Sequence, residues 1–78
     1  MHATQQPNRQ ETRIITNIES MLGIRLGQYA AAIQVSVENT VIVLRGELPS
    51  ADLRQELVPA IRQAGVLSQV SNCVQVSA

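Results

Sequence analysis

The chain is 78 residues long, with six arginines balanced by six acidic residues and no lysine, a length that allows one small domain. Zero net charge, a single tyrosine and the absence of tryptophan and phenylalanine exclude the basic footprint and stacking aromatics of a nucleic-acid binder. The longest apolar stretches fall far short of a bilayer span, so no transmembrane segment is expected.

Met1 to Pro7 lacks the basic start and apolar run of a secretory signal. As written, the chain reads as cytoplasmic, or as an envelope protein if it is processed or excised from a longer one. Apolar residues make up 45% of the sequence, enough for a core but one rarely worth more than about 3–5 kcal/mol at this size. The lone Cys73 cannot form an internal disulfide, which makes weak self-association a live alternative.

In chain order, residues 1–7 read as a disordered lead-in and 8–78 as one domain. Asn8 and Glu11 have the spacing of a capping box, so a helix starts there. Ile14, Ile15, Ile18, Met21 and Leu22 recur at helical spacing, with Gly23 placed as the stop. Ile24 to Ala32 has no clean period and reads as a connection with at most a short helical turn. From Ile33 the period becomes two: Ile33, Val35 and Val37 alternate with Gln34, Ser36 and Glu38, as in a strand with one buried face.

Asn39 is assigned the left-handed turn position, with Thr40 opening a second strand that runs from Val41 to Arg45 and ends at Gly46. Ser50 is a good N-cap for a second helix whose Leu53, Leu57, Ala60, Ile61 and Ala64 share a face before Gly65 stops it. Pro59 breaks that pattern at a cost of about 3 kcal/mol, so a bend is expected near Gln55 to Val58. Val66 to Val76 reads as a third strand, with Val70, Val74 and Val76 opposite Ser71, Cys73 and Gln75.

The periods converge on one core made of Ile14, Ile18, Leu22, Ile33, Val35, Val37, Ile42, Leu44, Leu53, Leu57, Ile61, Val70 and Val74. The order of elements is an αββαβ plan: an α+β two-layer sandwich with a three-stranded mixed sheet and two helices on one face. A right-handed crossover places strand three parallel beside strand two. Its pairing with strand one instead stays open at this point.

The run Ile33-x-Val35-x-Val37-x-Asn39, then Ile42-x-Leu44-x-Gly46, Leu48-Pro49-Ser50 with Arg54, and Ala64-Gly65-Val66 with Val70-x-Asn72-x-Val74-x-Val76 resembles the BON domain of bacterial osmotically inducible and nodulation proteins. The resemblance covers Thr12 to Val76. It departs where the family often has Asn-Gly and this chain has Asn39-Thr40, and where Pro59 interrupts the second helix. What it implies is a non-enzymatic module that contacts phospholipid membranes or tethers proteins at the envelope, with no cofactor.

The residues themselves offer no catalytic constellation. His2 lies in the lead-in without a metal-ligand partner nearby, Cys73 has no histidine to activate it, and the glycines form no phosphate-cradling pattern. Asn72, set among valines, is expected to bond local backbone at a bulge.

Two stretches could carry binding. Ile24, Arg25, Leu26 and Tyr29 combine apolar groups, a cation and an interfacial aromatic, the chemistry of phospholipid contact. Val41, Val43 and Cys73 form a narrow apolar stripe on the outer sheet face, suited to another protein or a second copy.

Overall fold

The computed structural model describes residues 9–77. The Asn8 cap, the lead-in 1–7 and His2 lie outside the described residues. Helix α1 spans Arg9–Leu26, with Ile18, Leu22 and Leu26 buried. It does not stop at Gly23, which lies inside the helix. Gly27, at φ +59°, marks the end instead, where a 3-10 segment Gly27–Ala32 begins. A glycine tolerated within a helix and a glycine that reverses the chain look alike in sequence; only the backbone conformation separates them.

Strands β1 (Ile33–Glu38) and β2 (Val41–Leu48) form an antiparallel hairpin in which Glu38 faces Val41 across the two residues Asn39 and Thr40. Both turn residues take positive φ, +52° and +64°, as a type I′ turn demands. Thr40 therefore belongs to the turn rather than to the strand, in a conformation costly for a β-branched residue. Its hydroxyl donates to the Asn39 carbonyl.

β2 also runs past Gly46, which sits within the strand at φ +142° and directly opposite Ile33. A Cβ added at Gly46 would lie 2.1 Å from the Ala32 carbonyl oxygen. The residue is a close-approach glycine, not a strand stop, and it lets the chain entering β1 pass over β2.

Ser50 caps helix α2 (Ala51–Gln55), its side chain accepting from the Leu53 N–H at 3.3 Å. The helical path breaks at Glu56 and resumes as α3 (Leu57–Gln63). This is the bend that Pro59 imposes, since proline cannot donate to the carbonyl of Gln55. α3 closes with Gly65 N–H donating to Arg62 O and Val66 N–H to Ile61 O, the paired bonds of a Schellman motif.

Strand β3 covers Val70–Val76; residues 66–69, expected as its beginning, form a loop held by Arg62, which donates to the carbonyls of Val66 and Ser68. β3 runs parallel to β2, so the mixed sheet has the order β1-β2-β3 with β2 central.

The helices cover one face, with α1 over β1 and against α3, and α2 against β2 and β3. Of the expected core, Ile18, Leu22, Ile33, Ile42, Leu44, Leu57, Ile61 and Val74 are buried, and Ile14, Val35, Val37, Leu53 and Val70 pack half-buried against them. Leu26, Leu48, Ala60 and Val66 complete it. Leu26 and Leu48 escaped the periodic reading because each lies beyond a glycine taken for the end of its element. Val76, expected beside Val70 and Val74, is exposed at the end of β3.

Candidate functional site

The two edges of the sheet are built differently. In the hairpin, the residues flanking a two-residue turn form a hydrogen-bonded pair, and such pairs alternate along the ladder. Gln34, Ser36 and Glu38 therefore direct their backbone groups toward β2, while Val35 and Val37 direct theirs outward. β2 agrees with this alternation, since Ile42 N–H donates to Gln69 O and Leu48 O accepts from Ser77 N–H on the β3 side.

At the middle of the β3 edge, outward groups of Asn72 and Val74 are occupied. Arg54 reaches from α2 to donate through Nε to Val74 O at 2.7 Å and through its terminal nitrogen to Asn72 O at 3.4 Å. The Asn72 side chain accepts from Val74 N–H at 3.1 Å. Asn72 thus bonds local backbone as expected, at a regular edge rather than a bulge.

At the β1 edge, among the described residues, Ile33 N–H turns back to Ala30 O, and nothing pairs with the outward groups of Val35 and Val37. β1 carries no proline, and its single charge is Glu38 at the far end. An edge without proline, bulge or central charge is a template for another strand.

On α1, Asn17, Ser20, Met21 and Ile24 face a cleft shared with Gln63 and Ala64 of the α3 side. At 100° per residue, Ile15 and Glu19 fall on the opposite flank of the helix. Ile15 is half-buried yet outside the core cluster, and Glu19 is exposed.

The four residues expected at a lipid surface do not form one loop. Ile24, Arg25 and Leu26 are the last turn of α1, and Tyr29 lies in the 3-10 segment. Leu26 is only 4% exposed and belongs to the core, because the uninterrupted helix keeps it on the face of Ile18 and Leu22. Arg25 donates through Nε to Gln63 Oε1 at 2.9 Å and pairs with Glu56, tying α1 to the break between α2 and α3. Ile24 and Tyr29 remain accessible, at 77% and 39%.

On the outer sheet face, Val43 is 6% exposed although no layer covers it. It lies between Ser36 and Ser71 in the register. The Arg45–Glu38 ion pair, at 2.7 Å, reaches across the Ser36–Val43 position. Val41 is half-buried and Cys73 exposed, with Cys73 Sγ 3.6 Å from Ser71 Oγ.

The expected stripe of Val41, Val43 and Cys73 is therefore one half-buried and one shielded valine beside an exposed thiol. Hydrogen bonds from Arg45 first, then from Ser36, hold the Glu38 carboxyl below its ordinary value, and Glu38 in turn raises Arg45.

Among the described residues no group of three or more His, Cys, Asp or Glu side chains is arranged to hold a metal, and no helix is long and apolar enough to cross a membrane. The sequence reading missed Arg54 as an edge cap and the β1 edge as a surface. The second was signalled by the uninterrupted Ile-Gln-Val-Ser-Val alternation. No family model matches the chain, and no curated protein matches it.

Proposed function

We propose that this domain is a non-enzymatic protein-interaction module that engages its partner at the free edge of β1. The observation that carries this reading is the unequal treatment of the two edges: Arg54 and Asn72 occupy backbone groups of β3, while among the described residues nothing pairs with the outward groups of Val35 and Val37. Main-chain pairing at an open edge gives affinity, and alternate side chains give selectivity. The resemblance to the BON domain, whose members include tethering modules, supports a binding role. So does the dispersal of charged side chains into separate pairs, Arg25 with Glu56 and Arg45 with Glu38.

The test uses Val35→Pro, which removes an outward N–H and leaves the β2 ladder intact, a substitution that edge strands accept. Immobilised wild-type domain should retain a partner from its own cells, and the folded variant, checked by circular dichroism, should lose it. Retention by both proteins would overturn the reading.

A second reading, phospholipid contact, is favoured by the exposure of Ile24 and Tyr29 at one end of α1 and in the segment that follows it. It expects the protein to float with anionic or zwitterionic vesicles at high micromolar concentration, with weak salt dependence because few charges take part. Ile24→Ser with Tyr29→Ser should abolish flotation. Wild-type protein that stays at the bottom of the gradient removes this reading.

A further inference from the structure

We draw no further inference here: the strongest candidate, the cleft between α1 and the end of α3 lined by Met21, Ile24, Gln63 and Ala64, is an open, partly apolar surface, and nothing in the structure shows what covers it.

Discussion

β1 and β3 are both edge strands of one small sheet, yet among the described residues only β3 has side chains bonded to its outward backbone groups. β3 arrives last, after the helical crossover, and lies where Arg54 of α2 reaches its carbonyls. β1 arrives from a 3-10 segment and packs under α1, and among the described residues no side chain bonds its outward backbone groups. A partly buried guanidinium satisfies edge carbonyls and repels a foreign strand at once. Where that residue is lacking, the edge keeps its capacity to pair. Difference in edge chemistry, not in strand propensity, separates a finished border from an interaction surface.

The largest expected effect breaks the β1 side altogether. Gly46→Ala drives a Cβ into the Ala32 carbonyl at a backbone φ unsuited to alanine, so β1 must move off β2. We expect a loss of about 3 kcal/mol or more, read as a collapse of cooperative thermal unfolding. A variant melting within a few degrees of wild type would show that β1 is held by something other than this close approach.

Uncapping β3 comes next. Arg54→Ala removes two hydrogen bonds from a charged donor and should cost about 1–3 kcal/mol. It should also make β3 behave like β1, with concentration-dependent association visible by light scattering. A stable and strictly monomeric Arg54→Ala protein would sever the link between capping and edge behaviour.

A smaller change, in the opposite direction, sharpens the comparison by stiffening the β1 hairpin. Thr40→Gly relieves a β-branched residue at φ +64° and creates the Asn-Gly pair favoured by a type I′ turn. Stability should rise by about 1 kcal/mol, seen as a higher denaturant midpoint with an unchanged slope.

The smallest effect concerns the only charge on β1. Arg45 and Ser36 hold Glu38 below its ordinary value, so its contribution is fully present above the usual carboxylate range. It is lost as pH falls through the lowered folded value. Glu38→Gln should flatten this part of the acid limb of melting temperature against pH and leave neutral pH nearly untouched, because the pair is exposed and screened.

Much of the fold was legible because periodicity is local. The change from a helical to a two-residue period at Ile33, the Ser50 cap, the break before Pro59 and the stop after Ala64 all follow from residues within a turn of one another. The parallel placement of β3 beside β2 is one of two pairings the sequence leaves open, the one a right-handed crossover suggests, and the sheet order decides it. The glycines were the weak point. Gly23 and Gly46 were read as ends, and α1 and β2 run through both; their neighbours Leu26 and Leu48 thereby enter the core. With Leu26 inside and Arg25 tied to Glu56, the four-residue lipid patch is reduced to Ile24 and Tyr29.

The amino-acid sequence by itself determined which segments are helix and strand and which side of each is apolar, because those properties depend on neighbours three or four positions away. It also determined that the Pro59 region cannot be a continuous helix. Only the tertiary structure decided what Gly46 is for, since the Ala32 carbonyl that crowds it is set by chain crossing. Only the tertiary structure decided that Arg54 caps the middle of β3 and that β1 lies under α1 without such a cap. Both depend on contacts between elements far apart in the chain, which no local pattern encodes.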